Sequence, residues 1–315
     1  MPFTNTTAAA YGLLAMHAMD MYRAQLHSLT PVPAAGLTAA GWQVVAYVTG
    51  TDTVLRRGVA GPMQMAGTTI CYGFAARNAA GELAVVIRGT DGFVEWIEDA
   101  EFVRIPYRPA TALPAGAPAI TVEQGFWGVY SSLRLVDPSG ADLGVLAPAV
   151  VALAGATGPV TVVGHSLGSA LATYLTLDLA RAGLGARVSA CLFASPHPGD
   201  QAFVMLFDQT IADYRLFNYI LDIVPRVPPG LGYAALPRRT VIRPSTAEAA
   251  IRFDIGCNHH VICYCAMLDY EETMNATNPV PPGEVGSKAC ILGPETGEST
   301  IAKEIVGFLA GAIPV

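Results

Sequence analysis

The chain has 315 residues, enough for one large α/β domain or at most two small ones. Apolar residues make up 52% and charged residues only 14%, so a sizeable core is easily built and the surface must be poor in charge. A net charge of −7, with no Lys/Arg cluster longer than a pair such as Arg238–Arg239, excludes the electrostatic footprint of a nucleic-acid binder and argues against a strong pull toward anionic membrane. The shortage of charge has two readings: a composition biased to Ala, Gly and Pro, or a surface that meets lipid or another apolar substrate.

In chain order, residues 8–29 read as an amphipathic helix, with Leu13, Leu14, Met16, Met19, Met21 and Leu26 recurring on a broad face. Residues 42–48 read as a strand, and 72–76 with 83–87 flank a polar turn as a hairpin. A helix is expected over 143–154, a short β-branched strand over 160–163 and a helix over 169–182. Buried strands are expected at 187–193 and 214–220, separated by a helical stretch near 201–211, and a closing helix over 300–309. This alternation predicts an α/β fold with a mostly parallel central sheet flanked by helices. The Pro/Gly-rich stretches 106–118, 225–237 and 278–286 read as loops over one body, so a single domain over 1–315 is expected.

No Asp, Glu, Lys or Arg occurs from Leu143 to Leu177, long enough to span a bilayer. The turns Ala154-Gly-Ala-Thr-Gly-Pro159 and Gly164–Gly168 inside it would leave backbone groups unpaired in lipid, so two buried elements fit better. The N-terminus lacks the basic start of a signal peptide. The expected location is cytoplasmic, or secreted if this is a mature chain. Six cysteines (71, 191, 257, 263, 265, 290) are too sparse for a disulfide-built scaffold, and their pairing is open.

Val160-Thr-Val-Val-Gly164-His165-Ser166-Leu167-Gly168-Ser169-Ala170 carries the strongest chemical signal: a strand, then G-x-S-x-G, then a helix. A strand reversing sharply into a helix exposes its central side chain, and only glycine two positions either side admits the neighbouring backbone. Ser166 is therefore the expected nucleophile of an α/β-hydrolase-type serine ester hydrolase. The N–H of Leu167, next in the chain, is an expected oxyanion donor. His165 should pack or hydrogen-bond behind the turn rather than serve as base.

A serine needs a base and an acid to orient it, in the chain order Ser, Asp or Glu, His. Asp222 ends the strand at 214–220 and precedes a Pro-rich loop, at the sheet edge where open α/β sheets place their sites. Only His259 and His260 follow it, and the residues alone leave that choice open. Cys257, His259, His260, Cys263 and Cys265 also form a Cys/His cluster, but it matches no common zinc spacing and no metal is expected.

Four blocks between about residues 72 and 268 resemble the class 3 (fungal-lipase-like) lipases of the α/β-hydrolase superfamily. They are Leu83–Thr90 with Glu95–Asp99; Gln124-Gly125-Phe126; the nucleophile turn continuing to Ala194–Asp200; and Phe217–Pro228, similar to that family's N-x-x-D-x-V-P-x-x-P. The resemblance implies an α/β-hydrolase fold and supports Asp222 as the acid. It favours His259 as base, five residues before Tyr264 and within Cys257-Asn258-His259. It also implies Thr90 as second oxyanion donor, and a covering lid in 91–105 with Phe93 and Trp96 as candidates, although Trp96 also fits a plain core anchor.

The expected function is thus carboxylic-ester hydrolysis, lipase or esterase, on acylglycerols or similar esters at a possible lipid–water interface. No cofactor, nucleic acid or protein partner is implied. The alternatives are a phospholipase A1, a feruloyl-type esterase or an acyltransferase, or a catalytically silent hydrolase-like binding protein.

Overall fold

The Val- and Ile-rich runs of the sequence pair with one another into a sheet of nine described strands. The structure, a computed structural model, describes residues 4–52, 67–90, 102–109, 111, 113, 118–230 and 232–294. Its strands are β1 (Trp42–Asp52), β2 (Thr68–Asn78), β3 (Leu83–Ile87), β4 (Arg104–Pro106), β5 (Thr121–Glu123), β6 (Arg134–Val136), β7 (Asp142–Val145), β8 (Val160–His165), β9 (Val188–Phe193), β10 (Tyr214–Tyr219), β11 (Arg239–Ile242), β12 (Ala249–Ile251) and β13 (Ile291–Pro294). The large sheet runs β11-β10-β9-β8-β3-β2-β1-β6-β7, and β4-β5 and β12-β13 form two small ribbons.

The sheet is mixed. Parallel pairing is confined to β3-β8, β8-β9, β9-β10 and β10-β11, the half that carries the nucleophile turn. The other half is antiparallel, because the short turn between Asn78 and Leu83 joins β2 to β3 as a hairpin and no crossover helix separates them. Side chains alternate between two buried layers. Val85, Ile87, Val160 and Val162 face one, with the helices Leu167–Leu179 and Gln201–Thr210; Ala84, Val86, Val163 and Phe193 face the other, with Asn5–Ala24 and Val261–Leu268. Covering helices on both faces explain why β3 and β8 are buried along their whole length.

Three expected boundaries shift. The first helix spans Asn5–Ala24, its start set by the Thr4 side chain accepting the Thr7 N–H, and Leu26 lies beyond its end, 48% exposed. The stretch 143–154 divides: Asp142–Val145 is strand, and the helix is Leu146–Ala154, with Pro148 in its first turn, where a missing N–H costs little. The helix after the nucleophile begins at Leu167, two residues earlier than its pattern suggested. The expected closing helix at 300–309 lies outside the described residues. Among the described residues, no helix is long and apolar enough to cross a membrane.

Candidate active site

β8 ends at His165 and a helix starts at Leu167, so Ser166 alone makes the reversal, at φ 59° and ψ −132°. Such a conformation costs a non-glycine residue about 1–3 kcal/mol and persists only where its surroundings enforce it. The flanking glycines are what permit it. A Cβ on Gly164 would sit 2.4 Å from the Gly168 carbonyl oxygen, and one on Gly168 would sit 2.2 Å from that of Ile87. The Ser166 N–H donates to the Phe193 carbonyl at 3.0 Å. Ser169 locks the same corner: its Oγ lies 2.7 Å from the carbonyls of Gly164 and Phe193 and accepts the Phe193 N–H.

Two loops bring Asp222 and His259 to this corner. Asp222 follows β10, and its carboxylate is fully buried. Oδ1 accepts the Val224 N–H, while Oδ2 accepts from the Tyr264 hydroxyl and from His259 Nδ1, both at 2.8 Å. His259 is the last residue of the short helix Ile255–His259, whose start is capped by Asp254 through the N–H groups of Gly256 and Cys257. Its Nδ1 carries the proton given to Asp222, so its Nε2 accepts from Ser166 Oγ at 2.9 Å. Residues 93 apart in sequence thus form a continuous Ser–His–Asp relay.

His165 packs behind the turn, as its position suggested, but it does more than fill space. Its ring lies 4.7 Å from that of His259, and its Nε2 donates to the His259 carbonyl at 2.8 Å. Burial, then the charge of His259, holds its pKa well below the ordinary histidine value, so it stays neutral. Tyr264 is a second support that the sequence pointed to only through its spacing: its hydroxyl accepts the Tyr219 N–H and donates to Asp222. Asn258 donates to the Leu221 carbonyl at 3.3 Å, which ties the two loops together beside the relay.

Leu167 heads the helix, where backbone N–H groups and the helix dipole favour negative charge. The Arg88-Gly89-Thr90 turn lies against the nucleophile, since a Cβ on Gly89 would fall 2.9 Å from Ser166 Cβ. Buried Arg88 fixes this turn: Nε donates to the Cys71 carbonyl, Nη1 to that of Gly89, and its guanidinium sits 3.5 Å over the Tyr22 ring. Thr90 is half-buried directly beyond Gly89. The lid candidates Phe93 and Trp96 lie outside the described residues. Ser166 itself is only 1% exposed.

The Cys/His cluster disperses. Cys257 is bonded to Cys290 with a Cα separation of 5.4 Å, and His259 serves the relay. Burial lowers the pKa of His260 to about 4, and burial pushes the Cys263 and Cys265 thiols well up. Among the described residues no group of three or more His, Cys, Asp or Glu is arranged to hold a metal ion.

Residues 84–231 match the family model described as Lipase (class 3). Among curated proteins, the chain is 29% identical over 201 residues to phospholipase A1-II 4 of Oryza sativa subsp. japonica, covering 57% of this chain and 50% of that protein. It is 32% identical over 207 residues to phospholipase A1-II 7 of Oryza sativa subsp. indica, covering 58% and 50%. The chain thus spans about half the length of the curated relatives it matches. Its fold resembles the Rhizomucor miehei triacylglyceride lipase, with a TM-score of 0.53 at 20% identity over 74% of this chain and 78% of that one. It also resembles lipase II from Rhizopus niveus, with a TM-score of 0.53 at 21% identity over 76% and 82%. The sheet, the serine corner between β8 and its helix, and these matches point one way: residues 84–231 are similar to the class 3 lipases, and the fold is that of the α/β-hydrolases.

Proposed function

We propose that the protein is a serine hydrolase of lipid carboxylic esters working through an acyl-enzyme. The observation that carries this is the unbroken chain of hydrogen bonds from Ser166 Oγ through His259 to Asp222 at the strained turn after β8. Ser166 Oγ attacks the ester carbonyl carbon as His259 Nε2 takes its proton. The oxyanion that forms is held by the N–H groups of Leu167 and Thr90, each such donor being worth about 3 kcal/mol in related chemistry. Collapse expels the alcohol, which leaves with the proton from His259, and water then cleaves the Ser166 ester by the same steps in reverse roles. Asp222 keeps the imidazole in the tautomer this needs, and Tyr264 and His165 hold acid and base in place.

Apolar exposure beside the relay supports a lipid substrate. Phe253, 76% exposed, and Ile255 precede His259, and Ile223 follows Asp222. Within this class, the names of the rice relatives favour phospholipase A1 specificity, cleavage of the ester at the first glycerol carbon, as the second reading. The Cys257–Cys290 disulfide favours folding in an oxidising compartment, hence the secreted rather than the cytoplasmic location.

A serine-directed fluorophosphonate should label the wild-type protein on Ser166. A panel of short- and long-chain glycerides and phospholipids should show turnover that Ser166→Ala lowers by about a thousandfold or more. A folded Ser166→Ala protein that keeps more than a few percent of the activity would overturn the mechanism; products analysed by position on glycerol decide between the two specificities.

A further inference from the structure

Asp222 also lines a second cavity, of about 440 Å³, which neither Ser166 nor His259 lines. Its walls carry His197, Asn218, Arg226, Tyr233 and Arg239. The register that pairs Leu216 with Arg239 and Asn218 with Val241 puts Asn218 and Arg239 on the same face of the sheet. The loops on either side of that edge supply the remaining groups.

Acidic residues outnumber basic ones in this chain by 25 to 18, yet neither arginine meets a carboxylate among the described residues. Arg226 donates to the Ile220 carbonyl at 2.7 Å, and the Arg239 side chain has no hydrogen-bond partner among the described residues. Asn218 is 4% exposed, and its side-chain oxygen is buried without a partner, as is the Tyr233 hydroxyl. An amide rotates to offer either its oxygen or its NH₂, so Asn218 and Tyr233 are both donors in waiting. Orphaned buried polar atoms beside two guanidinium groups that meet no carboxylate make a donor set suited to an anion.

Two carboxylates stand nearby, and both are occupied. Asp222 gives its oxygens to His259, Tyr264 and the Val224 N–H; Glu123, whose charge adds to burial in raising the Tyr233 pKa, is held by the backbone N–H of Phe126. His197 gives its Nδ1 proton to the Pro228 carbonyl, leaving Nε2 as the ring's other polar atom.

We propose that this cavity binds a phosphate-type oxyanion, free or as the head group of a larger molecule, through Arg226 and Arg239 with Tyr233 and Asn218. The volume exceeds that of a bare phosphate, so a glycerol phosphate also fits.

Titration calorimetry of the full chain with inorganic phosphate, and separately with glycerol 3-phosphate, tests this. Saturable binding is expected, weakened about tenfold or more in Arg239→Gln, which removes one charge-assisted partner while breaking no side-chain hydrogen bond among the described residues. An unchanged melting temperature shows that this variant folds, and Tyr233→Phe, which loses only the orphaned hydroxyl, gives the same test if it does not. The source of the anion follows from a second arm, hydrolysis of a monomeric short-chain phospholipid with phosphate added. Competitive inhibition marks a lipid head group as the occupant, whereas phosphate binding without inhibition marks a free anion. No saturable binding at tens of millimolar, or equal binding by wild type and both variants, overturns the proposal. The calorimetric arm is independent of turnover, so its outcome stands whether or not the esterase reading holds.

Discussion

His259 and His260 are neighbours with opposite fates, because the helix Ile255–His259 ends between them. His260 takes an extended backbone, ψ 131°, before the next helix starts at Val261, so the two rings leave the chain in different directions. His259→Ala should lower turnover about a thousandfold or more, and His260→Ala should leave it within a few-fold; the reverse order in ester assays would move the base by one residue. Tyr264→Phe removes one of three donors to Asp222 and should lower kcat several-fold with KM little changed, whereas a rise in KM alone would show that Tyr264 shapes substrate binding instead.

Legibility in the sequence follows the range of the forces at each residue. Gly164, Ser166 and Gly168 are readable because their constraint is local: two glycines spaced around a residue at positive φ leave few other structures. Asp222 is readable as the end of a strand. The choice of His259 over His260 is not, since it depends on the phase of one helical turn held by Asp254. His165 and the His259 carbonyl meet across 94 residues, and no local pattern announces such a contact. Arg88 reads as a charged turn residue, yet it is buried, because Tyr22 and the Cys71 carbonyl take its guanidinium.

At the scale of elements, the central strands were the easiest to read, since β3 is a continuous apolar run and β8 and β9 are short, mostly apolar runs interrupted only by Thr161, His165 and Ser189. The short strands β6 and β7 at the antiparallel end of the sheet were not, because three or four residues carry no periodicity of their own. Nor was the cysteine pairing legible. The Cys257–Cys290 bond joins the helix that presents His259 to the residue just before β13, closing a loop with a sequence separation of 33. Chain-entropy arithmetic gives such a cross-link about 4 kcal/mol at most, mainly by restricting the unfolded chain. Cys290→Ser should therefore lower the melting temperature by several degrees, and reductant should do the same to wild type but not to the variant. Because Asp254, Asn258 and His165 hold the helix independently of the bond, turnover well below melting should survive; loss of activity at full folding would instead make the bond part of the site's positioning.

Over the whole molecule, the histidines give a common dependence of stability on pH. Burial lowers the pKa of His17, His165, His197 and His260, the last to about 4. Each therefore holds a proton more weakly in the folded protein than in the unfolded chain, where it titrates near pH 6.5. Between its folded and its unfolded pKa the unfolded chain binds more protons, so stability rises with pH. It is complete above about pH 6.5–7 and falls below, by up to about 1.4 kcal/mol per pH unit for each histidine while that histidine stays neutral in the fold. Glu123 and Asp178 act in the opposite sense: burial raises their pKa values, so they gain protons on folding and offset part of the loss toward the acid end. Urea unfolding at pH 7.5, 6.5 and 5.5 should give a midpoint nearly constant over the first interval and clearly lower over the second. His260→Gln, which removes one of the four groups, should flatten that acid limb. A midpoint that holds steady or rises from pH 6.5 to 5.5 would mean that the carboxylates outweigh the histidines.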